Sequence, residues 1–414
     1  MPVAEQVEQT VDTRRWVVVG LLCVGMIIAY VDRTNFSVAL AAKDFRTLFH
    51  LTDADRGTLN SAFFWSYAFL QIPAGWLVDR YGVKFPFALG FLSWSLVSAA
   101  TSLAGSVSQL FGLRFLLGVS ESMVTPAGMR WIRFNFPEKR RGLAVGLYMA
   151  AAKIGPAIGA WLAAVLIARY GWKVMFLALG LGSLVWLIPW MALVENDDRR
   201  LESASVSRAK VPFGPLLKSP VIWGTVIGTF CYMYFVYFCM TWMPAYFVEQ
   251  RHLSLESMGL YTLFSFGGMA AVATLAGWVA DRMIARGGNP VAVRKAFTIA
   301  GFLMASTEVV GALSDSIPVA LFFAVFSLSG LGLATANYWA LTQTLIPGGA
   351  IGRIVGIQNC AASLPGIVAP ILTGWLKQKT GSYDAPMQAI WFFLILGLAA
   401  YVFLVREKYA PKDA

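Results

Sequence analysis

Twelve stretches of about 20 mostly apolar residues follow one another along this chain, and each is long enough to cross a bilayer as a helix. They fall roughly at 16–42, 57–78, 85–105, 108–132, 142–167, 172–194, 221–247, 257–283, 296–314, 317–345, 351–376 and 387–405. Lipid offers the backbone no hydrogen-bond partners, so segments of this length must close their own bonds as helices. The composition agrees. The 414 residues are 58% hydrophobic and 13% charged, about half the charge of a soluble domain, and mean hydropathy is +0.64. The expected fold is all-α and integral to the membrane. Polar residues precede the first span, Arg14 and Arg15 adjoin it, and no small-residue cleavage site follows it. A retained helix is expected there rather than a signal peptide. Cys23, Cys231, Cys239 and Cys360 all fall inside spans without metal-ligand spacing, and no disulfide framework is expected.

The spans divide six and six around ENDDRRLESASVSRAKVPFGPLLKSP, the most polar stretch of the chain. The expected organisation is a six-helix bundle over 1–194, a cytoplasmic linker over 195–220 and a second bundle over 221–414. An internal repeat supports it. GWLVDRYGVK begins at Gly75 after the second span, and GWVADRMIARG begins at Gly277, 202 residues later, after the eighth. Gly, Trp, Asp and Arg recur in step, as in transporters built from parallel repeats. Lys and Arg are unevenly shared. With the N-terminus inside, 22 lie on the termini and inner loops, 8 on outer loops, and Arg33, Arg114 and Lys153 in spans. The positive-inside rule then puts both termini in the cytoplasm. It also accounts for the net charge of +11 without a nucleic-acid partner.

Five ionisable residues interrupt the apolar runs: Asp32 and Arg33 in AYVDRTNFSVA, Arg114 and Glu121 in the fourth span, and Lys153 in the fifth. Such residues are costly in lipid and usually face a polar cavity. Arg114 and Glu121 are seven apart, so one helix presents both on nearly the same face about 10 Å apart. That is too far for direct pairing, and each needs a partner elsewhere. Asp32 and Arg33 point about 100° apart and need not pair with each other. Arginine suits a carboxylate ligand because its planar fork donates two parallel hydrogen bonds. His50 and His252 fall in loops, so a proton relay within the membrane must use carboxylates, which selects Asp32 and Glu121. The competing readings are structural pairing of these charges and, for Lys153, snorkelling to the interface. Tyr234 in the seventh span, Asn337 and Tyr338 in the tenth and Gln358 in the eleventh are further candidates for a hydrogen-bonding anion, against ordinary interhelical packing. No HExxH pair, nucleophile elbow, Cys/His cluster or P-loop is present, which argues against an enzyme or an ATP-driven pump. No cofactor is expected beyond a coupling proton.

These features meet in one family. The DRYGVK turn resembles the loop between helices 2 and 3 of the major facilitator superfamily. Within it, YVDRTNFSVA, SAFFWSYAFLQIPAGWLVDRYG, RFLLGVSES and GIQNCAASLPG resemble the anion:cation symporter family, and in particular bacterial sugar-acid/proton symporters of the D-galactonate type. The resemblance implies twelve helices in two pseudo-symmetric six-helix bundles, alternating access around a central cavity, and proton-coupled uptake of an organic anion. It matches the proton-titrating carboxylates to Asp32 and Glu121, and the substrate site to Tyr30, Arg33, Tyr67, Arg114, Trp339 and Asn359. It marks Gly75, Asp79, Arg80 and Gly82, with Asp281 and Arg282 of the repeat, as a cytoplasmic gating motif. Two departures fall in the sugar-contacting shell: Ala152 replaces a glutamine, and Ala336-Asn337-Tyr338 replaces Ser-Ile-Thr. The expected function is symport of a hexonate, hexuronate or aldarate by a monomer in a bacterial inner membrane. The alternatives are an exchanger or exporter of dicarboxylates or aromatic acids and, more remotely, a membrane-embedded ligand sensor.

Overall fold

The computed structural model describes residues 13–195, 218–346 and 351–411, and among them every regular element is helical. Helix α1 is Thr13–Ala41, α2 is Asp53–Tyr81 and α3 is Lys84–Ala100. Helix α4 is Val107–Glu121 continued by Val124–Asn135. Helices α5 and α6 share the run Glu138–Ser183, turned at Gly171, and α6 is completed by Leu187–Leu193. Helix α7 is Pro220–Thr241 continued by Met243–Glu249, and α8 is Leu255–Ala285. Helix α9 is Pro290–Ser306 continued by Glu308–Leu313, and α10 is Ile317–Leu345. Helix α11 is Ile351–Ser363 continued by Pro365–Thr380, and α12 is Asp384–Ala399.

Nine helices among the described residues are long and apolar enough to cross a membrane. One of these, Arg140–Leu193, holds both α5 and α6. Gly171 separates them, at φ 81° and ψ 164°, a backbone conformation open essentially to glycine alone. Helices α2 and α4 complete the twelve. Helix α2 is too polar to stand out, and α4 is interrupted after Glu121. Large apolar side chains stay exposed around the bundle, among them Phe69, Ile72, Val185, Ile188 and Phe322. A soluble monomer would not present such a surface, whereas lipid covers it.

Prolines set three interruptions. A proline ring clashes with the carbonyl four residues earlier and offers that carbonyl no N–H. Pro126 thus stands against Ser122, where α4 breaks, and Pro244 and Pro365 follow the breaks in α7 and α11. Small residues then let the two halves of the bundle approach each other. Helix α2 lies on α11, α5 on α8 and α1 on α7. A Cβ at Gly374 of α11 would come within 2.4 Å of the Asp53 carbonyl oxygen, and one at Gly57 of α2 within 2.5 Å of that of Pro370.

Ion pairs join the halves at the end of the bundle opposite the termini, called here the distal end. Glu249 pairs with Arg46, Arg56 and Lys377 at 2.7, 2.9 and 3.0 Å, and Asp53 pairs with Lys377 at 2.8 Å. Tyr383 donates to Glu249 at 3.0 Å, and the Arg56 guanidinium lies 4.7 Å from the Trp242 ring. The expected linker, 195–220, lies almost wholly outside the described residues.

Candidate substrate and proton site

The central charges come from three helices of the first half. Asp32 and Arg33 lie on the inner stretch of α1, where every residue from Val31 to Ala41 is buried. Arg114 and Glu121 lie on the first segment of α4. All four are at most 3% exposed. The seven-residue spacing on α4 does place a cation and a carboxylate at two depths, and each has found its partner on α1. The Arg33 Nε donates to Glu121 Oε2 at 2.7 Å, and the Arg114 Nη1 donates to the Asp32 backbone carbonyl at 3.4 Å. Asp32 and Arg33 do not pair. The Asp32 Oδ1 accepts from Ser98 of α3 at 2.7 Å and from Asn35 at 3.1 Å.

Aromatic rings hold the guanidinium groups. That of Arg33 lies 4.3 Å from the Tyr30 ring, 4.4 Å from that of Tyr67 and 4.8 Å from that of Phe63. That of Arg114 lies 4.6 Å from Phe36 and 5.4 Å from Phe63. Desolvated cation–π contacts of this kind contribute about 2 kcal/mol each. The polar capacity of the cluster is nevertheless unfinished. Arg33 Nη2, Arg114 Nε, Asp32 Oδ2 and Glu121 Oε1 are buried without a hydrogen-bond partner. Natural structures rarely leave such atoms unsatisfied outside functional sites.

Close packing fixes this arrangement. Ser66 of α2 donates to the Phe115 carbonyl of α4 at 2.6 Å, and a Cβ at Gly118 would come within 2.2 Å of the Phe63 carbonyl oxygen. A Cβ at Gly155 of α5 would come within 2.4 Å of the Tyr30 Cβ. Lys153, two residues earlier on α5, turns toward the second half. Its Nζ lies 5.8 Å from the centre of the Tyr232 ring on α7. Snorkelling to the membrane surface is thereby excluded for Lys153.

In the second half, the Tyr232 hydroxyl shares a 2.7 Å hydrogen bond with Thr335. Its ring packs on Tyr338 at 4.8 Å, and Tyr338 packs on Trp339 at 5.3 Å. Gln358 is buried and donates to Thr229 at 2.8 Å, with its Oε1 unpartnered. Asn337 donates back to Leu333 of its own helix at 2.9 Å, leaving its Oδ1 unpartnered. Asn359 is exposed. Tyr234 departs from the expected set. Its ring packs 4.1 Å from Phe393 of α12, inside its own half rather than toward the charged cluster.

The two repeat motifs are built alike. Asp79 at the end of α2 pairs with Arg130 of α4, and Asp281 at the end of α8 pairs with Arg294 of α9 at 2.9 Å. Arg80 instead stacks on Trp76 and Tyr81, and Arg282 on Trp278. Gly82 ends α2 at φ 80°, and Gly75 faces Pro126.

Sequence reasoning missed Ser98, Asn35 and Phe63, which complete the cluster, and the whole distal network. It also passed over Glu308, a buried carboxylate on α9 that accepts from Ser327 at 2.7 Å. The rule applied to Asp32, an ionisable residue within a span, would have found it.

Twelve membrane helices in two halves, with two cations and two carboxylates buried together at the centre, define a membrane transporter rather than an enzyme. The chain belongs to the Major Facilitator Superfamily, whose profile matches residues 22–370. It is 30% identical to the probable sulfoacetate transporter SauU of Cupriavidus necator, over 96% of this chain and 95% of that one. It is 28% identical to the D-galactonate transporter of Escherichia coli, over 95% and 96% respectively. Its fold is similar to the crystal structure of a bacterial homolog of the human lysosomal transporter Spinster in an inward-facing and occupied conformation. That match has a TM-score of 0.82 and 17% identity, and covers 97% of this chain and all of the other.

Proposed function

We propose that this transporter is a proton-coupled symporter that takes up a small organic anion of the sugar-acid class by alternating access. The observation that carries the proposal is the buried Arg33–Glu121 pair with its unspent donor. The guanidinium is already neutralised by an internal carboxylate, yet Arg33 Nη2 has no partner. A proton on Glu121 releases Arg33 to an incoming carboxylate, and loss of that proton returns Arg33 to Glu121 and expels the anion. Arg114 supplies a second donor, and Asp32, held by Ser98 and Asn35, supplies a second proton station. By linkage, whatever proton binding adds to anion affinity, anion binding adds to proton affinity. With both termini cytoplasmic, as the Lys and Arg distribution predicts, the distal end is the outer end. Its ion pairs then close the outside, and the arrangement described is inward-facing. Transporter relatives named for galactonate and sulfoacetate support an anionic cargo.

The test is uptake of galactonate into proteoliposomes under an imposed proton gradient. The wild type should concentrate the substrate. Glu121→Gln should still exchange labelled for unlabelled substrate while concentrating it at least tenfold less. Accumulation that survives in both Glu121→Gln and Asp32→Asn would overturn the coupling assignment. Obligatory exchange in the wild type, indifferent to the proton gradient, would mark an anion exchanger instead.

A further inference from the structure

We infer that Lys153 and the aromatic floor beneath it form a second anion subsite, so that the preferred substrate is acidic at both ends. The inference rests on the proposed anion site at Arg33 and Arg114 and deepens it. Lys153 differs from the other two central cations. Arg33 is paired with Glu121, and Arg114 holds a backbone carbonyl of α1. Among the described residues no carboxylate lies within ion-pair distance of Lys153, and its ammonium stands over the Tyr232 ring at 5.8 Å. A cation in a membrane span with no counter-charge is costly, and that cost falls when a ligand brings the missing anion.

The placement is specific. Tyr30 stands between the two subsites. Its ring carries the Arg33 guanidinium at 4.3 Å, and its Cβ meets α5 at Gly155, two residues from Lys153. The Lys153 side chain leaves α5 toward α7 and therefore reaches across the division between the halves. The partner ring is locked. Tyr232 is 1% exposed, its hydroxyl is held by Thr335, and its ring packs at a tilt on Tyr338, which packs in turn on Trp339. An anion with one acidic group at Arg33 and another at Lys153 is held by two cations of the first half and rests on Tyr232 of the second. A singly charged anion of equal length meets a neutral group at the second position and leaves Lys153 without its counter-charge. The chemical class is a short or medium polar dianion, either a dicarboxylate with hydroxyl groups or a carboxylate bearing a sulfonate.

The experiment compares galactarate with galactonate, which differ in one terminal carboxylate against a hydroxymethyl group, by thermal stabilisation of the detergent-purified protein. Sulfoacetate against methylsulfonylacetate is a second pair. The wild type should bind each dianion at least tenfold more tightly than its monoanionic partner, the size of one charge-assisted contact. Lys153→Gln should reduce that preference to about unity, and the monoanion titration that it retains shows that the variant is folded. Lys153→Arg should keep most of the preference. If both anions bind, Arg33→Gln removes both, and Lys153→Gln leaves their ratio unchanged, the second subsite is refuted and the underlying anion site stands. If the wild type binds none of the four probes, the anion site itself fails, and the subsite with it.

Discussion

At the scale of residues, the site is a set of cations held by rings and shared with carboxylates. The three aromatic neighbours of Arg33 make a direct test. Tyr67→Phe keeps the ring and should leave galactonate binding within about twofold, whereas Tyr67→Ala should weaken it by about tenfold, the size of one desolvated cation–π contact. Arg33→Lys keeps the charge but loses the fork, and should weaken binding by tenfold or more in the same titration. The ionisable members of this site were legible in the sequence because a charge in an apolar run is conspicuous. Ser98, Asn35 and Phe63 were not, because serine, asparagine and phenylalanine are ordinary in membrane helices, and only the crossing of α1, α2 and α3 makes neighbours of them. The direction in which Lys153 points was equally hidden. Depth along a helix is a property of the sequence, whereas facing depends on how α5 is rotated, and Gly155 against Tyr30 sets that rotation.

At the scale of elements, the apolar runs located all twelve spans, but their interruptions matter more to the chemistry. Helix α4 stops immediately after Glu121, and Pro126 is the cause that can be named. Pro126→Ala restores an N–H for the Ser122 carbonyl and lets α4 continue through the break. The expected outcome is a protein at least as resistant to thermal unfolding, since a helix-interior proline is unfavourable by about 3 kcal/mol. Its proton-driven accumulation should fall at least tenfold, because straightening α4 turns Glu121 out of register with Arg33. Unchanged accumulation would show that the break merely accommodates packing. The short turn between α5 and α6 was legible as a gap of four residues between spans, and Gly171 narrows it to one. The start of α1 and the far end of α4 were each placed three residues short, because Thr13–Arg15 and Arg133–Asn135 continue the helices beyond their apolar runs.

At the scale of the whole molecule, the distal ion pairs act as a latch between the halves, and they were not legible at all. Arg46, Asp53, Arg56, Glu249 and Lys377 sit in four separate segments, and ordinary loop charges announce no partners. Burial alone would push the Glu249 carboxyl up, but Arg56, Lys377 and Arg46 outweigh it and hold it below the ordinary 4.5. A carboxylate lowered in the latched state stabilises that state above its ordinary value, and the stabilisation is lost as pH falls through the lower, latched value. Spin labels carried on cysteines at Ala54 and Gln378, where the Ala54 N–H donates to the Gln378 side-chain oxygen at 2.9 Å, should report a short distance at neutral pH and a growing separated population below about 4.5. Glu249→Gln should remove that pH dependence. Gly374→Val should give the separated population at every pH, because the new side chain meets the Asp53 carbonyl. The presence of two carboxylates beside the central cations has an electrical consequence. If Asp32 and Glu121 each carry one proton inward per cycle, a dianion crosses with no net charge and ignores the membrane potential. A monoanion brings one positive charge with it, and a potential of 100 mV, negative inside, then contributes about 2.3 kcal/mol to its uptake. Proteoliposomes on a capacitive electrode should therefore show an inward current with galactonate and nearly none with galactarate.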